Sequence, residues 1–569
     1  MLEFKNINDY KNQISKYKTI TTILSIIRLI LSFVVVVLIV LLFSLQEYVL
    51  YSILSSIFFI LTILFIVLTN PVYNHYNHLK NILKAYDNHL NRRRLDLHKF
   101  YDTGADFLVK DDYKLYDLDI FGKDSIYQYL NVSKTYEGRK NLANVLINGN
   151  DNKDKSSILV SKLAQNEDVI KLEADLYDFN KEAKSASSDD LNSIVLVDEH
   201  INYLSYLPLI SYIATIAMLV IIPVLGISWL YILIPLLFNV LLSKFFIHSD
   251  IFNLNSSLYS DIISNDLKIV SDFNKLDIDD EYYNELKEEL NNDVSKAIKL
   301  KKMYSILSTR HNIIFNILFN TIFIIDFMII MIYKNYHKKL ISADKLFKNI
   351  GVIEGLMSLS NVGIDNAVYT VPEKGDEYKF DNLYHPLVKA CIPNDLEFNG
   401  GIILTGSNMS GKTTFMRTIG VNHILARAGG VVLAKSFTYP DYKILTSLRT
   451  NDLLSEGIST FYAEILRMKK INEALKKEKI VILIDEIFKG TNREERLKAA
   501  EFLVSKFNSN KAIFIISTHD YELCDLNDIT NYHFEESYVD DKISFDYKIK
   551  VGKSTSKNAL YLLKLADII

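Results

Sequence analysis

Residues 29–45 and 49–69 each run through apolar side chains without one charge, and only Gln46, Glu47 and Tyr48 separate them. No other feature restricts the fold so strongly. A bilayer core of about 30 Å takes roughly 20 apolar residues of helix to cross. The pair therefore predicts a tight transmembrane hairpin, its first block starting at Ile23 and Arg28 snorkelling at one end. A soluble hairpin buried in a core is the alternative. A cleaved leader fits worse: the run is long, no small-residue cleavage site follows, and a second apolar block begins at once. Residues 207–225 and 227–243 repeat the pattern in shorter form, interrupted by Pro208, Pro223 and Pro235 and turned at Gly226. They predict a second transmembrane hairpin, with a deep core hairpin as its alternative.

A fifth block, 312–333, contains Asn312, Asn316, Asn320 and Asp326. A charge at mid-bilayer costs roughly 2.5–3.5 kcal/mol, so this block is expected to be a long buried cytosolic helix. Lys5, Lys11, Lys16, Lys18 and Arg28 precede the first hairpin, and Lys80, Lys84, Arg92, Arg93 and Arg94 follow it. Positive flanks stay in the cytoplasm. The expectation is a multi-pass protein of the cytoplasmic membrane with four crossings and a cytoplasmic C-terminal region. Arg92-Arg93-Arg94 is read as a topogenic cluster or solvated helix face rather than a phosphate contact. A net charge of −4 excludes nucleic-acid binding through bulk positive charge, leaving only a local patch. Two cysteines, Cys391 and Cys524, exclude a disulfide scaffold and a Cys-rich zinc module.

From residue 400 the chain reads GGIILTGSNMSGKTTFMRTIG. An apolar strand over 401–405 leads into Gly406, Ser407, Asn408, Met409, Ser410, Gly411, Lys412 and Thr413, followed by Thr414 and a helical pattern. This is a phosphate-binding loop in the strand–loop–helix setting such a motif needs. Its glycines let backbone N–H groups turn toward phosphates, and the helix N-terminus adds its dipole. Lys412 is expected on the β- and γ-phosphates of ATP and Thr413 on Mg²⁺. Downstream, residues 480–487 read IVILIDEI, a buried strand ending in two acids. Asp485 is the second candidate for Mg²⁺, through water, and Glu486 the base or water-orienting carboxylate. Gly490-Thr491-Asn492 forms a turn, and an apolar strand over 512–517 leads to His519, a candidate γ-phosphate contact.

This order of motifs resembles the ATPase domain of the MutS family, the DNA mismatch-repair ATPases, which is similar to ABC-type ATPases in working as composite dimers. Thr405, Gly406, Asn408, Met409, Gly411, Lys412, Thr413 and Thr414 match the family's T-G-x-N-M-x-G-K-[ST]-[ST]. Asp452, Gly457, Ser459, Thr460, Phe461 and Glu464 match its acid-rich loop ending G-x-S-T-F-x-x-E. The resemblance implies that Ser459 reaches across a homodimer to the partner's ATP. His385-Pro386 and Asn394 look like the family's elements before the phosphate loop, and Gly552, Ser554 and Ser556 like its terminal loop. Residues 118–130 (LDIFGKDSIYQYL), then Thr135, Gly138, Arg139 and Leu142, look like the start of its helical core.

The chain also departs from the family. Apolar blocks stand where mismatch readers carry an N-terminal Phe-x-Glu wedge. The single Phe-x-Glu here, Phe534-Glu535-Glu536, falls late and reads as strand-edge residues. Cys391 occupies the place of the aromatic on adenine, leaving Tyr547 as a candidate for the base. The family's C-terminal helix-turn-helix is expected to be largely missing. The expected fold is thus an α/β P-loop ATPase domain, ABC-like and of MutS type, C-terminal to an all-α core with two transmembrane hairpins. The expected divisions are 1–75 (first hairpin), 76–200 (core), 201–246 (second hairpin), 247–370 (lever and clamp) and 371–569 (ATPase). The expected function is a membrane-anchored ATPase whose dimeric clamp holds double-stranded DNA, with membrane lipid around its anchor. The alternative is an ATP-driven machine acting on a protein or lipid partner.

Overall fold

The computed structural model describes residues 2–4, 6–44, 48–178, 207–247, 256–308, 344–407, 409–449, 460–488, 492–539 and 542–554. Helices come first. α1 (Ile7–Ser44) and α2 (Tyr48–Arg94) lie antiparallel. They are followed by α3 (Tyr113–Asp117), α4 (Ile126–Leu130), α5 (Tyr136–Asn148), α6 (Lys153–Gln165) and α7 (Asp168–Leu176). Next come α8 (Leu207–Leu225), α9 (Leu233–Ile247), α10 (Ser256–Phe273), α11 (Glu281–Ser308) and α12 (Asp344–Asp365).

α2 changes character along its 47 residues. Between Val49 and Leu68 its apolar side chains are mostly exposed, as are those of α1 from Ile23 to Phe43. Past Pro71 one face turns inward: Leu79, Ile82, Tyr86, His89 and Arg92 are buried at helical spacing. That face packs on α7 and α12. Arg28 lies level with the end of the uncharged stretch of α2. It donates to Thr69 Oγ1 and Asn70 Oδ1 of α2 and lies 4.2 Å from the Tyr73 ring.

The second hairpin forms as a helix pair, but its crossing of a membrane is not supported. α8 and α9 do pair, Asn239 Nδ2 donating to Thr215 Oγ1 at 3.1 Å and Ser211 donating to Asn239. Among the described residues their apolar stretches, Leu209–Leu225 and Trp229–Asn239, are shorter than those of α1 and α2, which have the length to cross a bilayer. A four-crossing path is therefore not supported. Residues 312–333 lie outside the described residues.

The triple arginine also corrects the sequence reading. Arg92 is 1% exposed and gives its guanidinium to the Tyr129 and Asn131 carbonyls. Arg93 binds Asp365 and the carbonyls of Leu2 and Ile364. Beside them His89, fully buried, sits between Asp365 at 3.0 Å and Glu173 at 3.1 Å. These ion pairs fasten α2 to α7 and α12.

α12 leads into a mixed α/β region. Its strands are β1 (Glu373–Gly375), β2 (Tyr378–Leu383), β3 (Asn394–Phe398), β4 (Gly401–Thr405), β5 (Ser436–Pro440) and β6 (Lys443–Ser447). They continue with β7 (Ile480–Asp485), β8 (Ile513–Ser517), β9 (Ile529–His533), β10 (Glu536–Val539), β11 (Lys542–Phe545) and β12 (Lys550–Val551). Helices α13 (Lys412–Arg427), α14 (Thr460–Leu475) and α15 (Arg493–Ser509) intervene. The main sheet has the order β12-β9-β4-β8-β7-β6, parallel from β9 to β6, with β12 antiparallel at the edge.

Alternation of side chains gives each central strand two buried faces. Ile402, Leu404, Val481, Leu483, Ile513 and Ile515 face a core continuous with α5, α12 and α13. Ile403, Ile482, Ile484, Phe514 and Ile516 face a second core closed by α14 and α15. A smaller sheet, β1-β5-β2-β3, packs on the first core.

Candidate functional site

In a parallel sheet the strand C-termini share one edge, and ligands gather there. Three loops leave that edge: the glycine-rich loop after β4, the acid pair after β7 and His519 after β8. Gly406 (φ 140°) and Gly411 (φ 108°) shape the first. A Cβ on Gly406 would lie 2.7 Å from the Phe534 carbonyl oxygen, so only glycine fits. Met409, also left-handed at φ 73°, projects into solvent at 86% exposure. Ser410 is buried, and its hydroxyl has no hydrogen bond among the described residues.

Lys412 folds back on this loop, donating to the carbonyls of Gly406 (2.7 Å) and Ser407 (2.8 Å). The Ser407 hydroxyl donates to Glu536 Oε2 at 2.6 Å. Thr413 donates to Asp485 Oδ2 at 2.6 Å, and Ser517 donates to Asp485 Oδ1. The β7–β8 register sets Ser517 directly beside Asp485. Glu486 is left-handed (φ 59°), its N–H held by the Ser517 carbonyl at 3.0 Å. His519 Nε2 stands 3.2 Å from its carboxylate.

A cavity of about 730 Å³ opens here, walled by Lys412, Thr413, Thr414, Asp485 and Glu486 and, elsewhere, by Cys391 and Tyr547. Tyr547 packs on Gly411, and Asn394 holds its carbonyl at 3.0 Å. Burial pushes the Cys391 thiol above its ordinary pKa. Burial, aided by Arg417, pushes His385 down to about 4, so its imidazole is neutral and Nδ1 accepts from the Leu387 N–H. Ser459, Asn408, Gly490 and Thr491 lie outside the described residues. Asn492 caps α15.

The donor set suits ATP·Mg²⁺. A left-handed glycine cradle, a buried lysine and a hydroxyl–carboxylate pair converge, and hydroxyl and carboxylate oxygens are the hard ligands Mg²⁺ prefers. A second acidic group, His78, Asp175 and Asp178, does not offer a metal site. Lys268 already bridges Asp175 (2.7 Å) and Asp178 (2.8 Å).

The sequence reading missed Ser517 and an acidic pair reaching in from the helical region, and took Glu536, which is buried against Ser407, for a strand-edge residue. Asp117, fully buried, accepts from Thr446 Oγ1 (2.7 Å), the Leu448 and Arg449 N–H groups and Arg467. Asp119 accepts from Arg417 (3.2 Å) and Arg449 (2.6 Å). Aligning the ends of β7 and β8 would have found Ser517. No local signal marks the others.

Fold and site together define a P-loop nucleotide-binding domain of the parallel α/β type. The MutS domain V family matches residues 402–568. The DNA mismatch repair protein MutS of Persephonella marina is 30% identical over 243 residues, 39% of this chain and 27% of that protein. MutS of Leptospira interrogans is 34% identical over 201 residues, 32% of this chain and 24% of that protein. MutS protein homolog 4 of Mus musculus is 31% identical over 244 residues, 39% of this chain and 25% of that protein. The C-terminal region of the chain thus matches MutS domain V, and the chain spans only about a quarter of the length of these relatives.

Proposed function

We propose that this chain is a membrane-anchored MutS-type ATPase. The observation that carries the reading is the convergence of Lys412, Thr413, Asp485 and Glu486 on one cavity behind the glycine loop, with His519 3.2 Å from the Glu486 carboxylate. Lys412 would exchange its two loop carbonyls for the β- and γ-phosphates. Thr413 and Asp485 would hold Mg²⁺, which supplies charge neutralisation along the phosphates. Glu486 would orient the attacking water and take its proton, with His519 steering the carboxylate. Tyr547 and Cys391 border the space left for the base. By the family resemblance, Ser459 of a second copy would complete each site, so turnover opens and closes a homodimer.

Anchoring is supported by the exposed apolar surface of α1 and α2, whose helices have bilayer length. The load is double-stranded DNA in the first reading, following the mismatch-repair relatives. A protein or lipid load is the second. It gains from the commitment of Arg92 and Arg93 to internal contacts, which removes them from any phosphate backbone.

ATP turnover and DNA binding by the detergent-solubilised chain test both parts. Glu486→Gln should bind ATP and lower kcat by about 10²-fold or more. DNA binding should respond to ATP and weaken by about tenfold or more between 50 and 200 mM salt. Glu486-independent turnover overturns the ATPase reading. Intact turnover without DNA binding overturns the DNA load.

A further inference from the structure

The segment from Tyr113 to Asp119 belongs to the helical part of the chain yet touches three separate elements of the nucleotide domain. Leu118 packs on α13, where a Cβ on Gly420 would lie 2.7 Å from Leu118 Cδ2. One turn earlier on α13, Arg417 donates to Asp119. Arg417 follows Thr413 by four residues, so the two share a helix face. At the end of β6, Thr446, Leu448 and Arg449 all bind Asp117. Arg449 also forks, one nitrogen on the Tyr116 carbonyl (3.1 Å) and one on Asp119 (2.6 Å). From α14, Arg467 reaches Asp117 and stacks 4.4 Å from the Tyr113 ring. In sequence, Arg449 and Arg467 bracket Ser459.

We infer that Asp119, anchored by Asp117, is a positioning residue for ATP turnover. It touches no part of the nucleotide cavity. It acts through Arg417 and Arg449, setting the Thr413 end of α13 and the end of β6 in fixed relation to the helical core. A change of nucleotide state is thereby passed into that core, and strain in the core is returned to the site. The inference rests on the ATPase reading above.

The pair to change is Asp119 and Arg449, because both are partly exposed, at 35% and 40% by side chain. Asp119 is left-handed at φ 51°, a conformation asparagine also tolerates. Asp119→Asn thus removes the charge and keeps the backbone. In the full chain in detergent, Asp119→Asn and Arg449→Gln should each lower kcat about tenfold and leave ATP affinity, measured with ATP itself, within about twofold. The melting temperature should stay as in the wild type. The double variant should be no worse than Asp119→Asn alone, since that change already removes the link made by Arg449. Unchanged kcat in both singles overturns the inference. So does a joint fall of kcat, affinity and melting temperature, which would make the pair a structural staple. Glu486→Gln, run alongside, separates the two readings. Turnover that ignores Glu486 sinks the ATPase reading, while Glu486-dependent turnover indifferent to Asp119→Asn sinks this inference alone.

Discussion

Replacing His89 with glutamine removes one cation from between two buried carboxylates and leaves the shape of the site nearly intact. Burial alone would lower the pKa of His89, but Asp365 and Glu173 more than offset it, raising the value from 6.5 to about 9. Glu173 moves the opposite way, to about 2, burial being outweighed by His89 and Arg92. The two shifts describe one interaction and are counted once. At about 1.4 kcal/mol per tenfold, the imidazolium stabilises the folded state by about 3 kcal/mol. For a folded pKa raised above the unfolded one, that stability is fully present below pH 6.5 and is lost as pH rises through 9. Hydrogen exchange of the amides between residues 79 and 93 reads the local opening free energy. The wild-type advantage over His89→Gln should shrink by about 3 kcal/mol between pH 6.5 and 9.5, other titrations cancelling in the difference. An advantage independent of pH would mean that His89 is neutral and that the charge argument is wrong.

Other outcomes follow from the site and the hairpin. Gly406→Ala should abolish ATP binding, because its Cβ would press on the Phe534 carbonyl; binding within about tenfold of wild type would refute the strained-turn argument. Cys391 should react with a maleimide slowly at pH 7 and faster as pH rises, burial having raised its thiol pKa, and ATP should protect it. Mass spectrometry of the labelled peptides also checks that buried Cys524 stays unmodified. The full chain should stay with membranes through alkaline carbonate washing; release into the supernatant would count against α1 and α2 as spans.

The phosphate loop and the acid pair were legible in the sequence because their chemistry is carried by contiguous residues. A strand, a turn needing glycine and a helix start can be read in twenty positions, and two acids after five apolar residues mark a strand end. Asp117 and Arg467 were not legible. They are 350 positions apart, and each alone looks like an ordinary surface charge. Arg92 was misread for a related reason. Three adjacent arginines after a hairpin suggest solvent, yet Leu79, Ile82, Tyr86 and His89 already trace the buried stripe that continues through Arg92. The second hairpin was legible as a helix pair, and only its crossing of a membrane goes unsupported. Pro223 lies within the first of these helices, and Gly226 follows its end.

α2 is unbroken from its exposed apolar stretch to the ion pairs at His89. Twenty residues separate Thr69 from His89, about 30 Å of helix. In a bilayer whose thickness tilted that helix by ten degrees, the His89 end would swing by about 5 Å. Pro71 stands where the pivot would fall, at the first turn beyond the apolar stretch. If α1 and α2 span a membrane as proposed, the strut would work as a gauge, turning bilayer thickness into a displacement of α7 and α12.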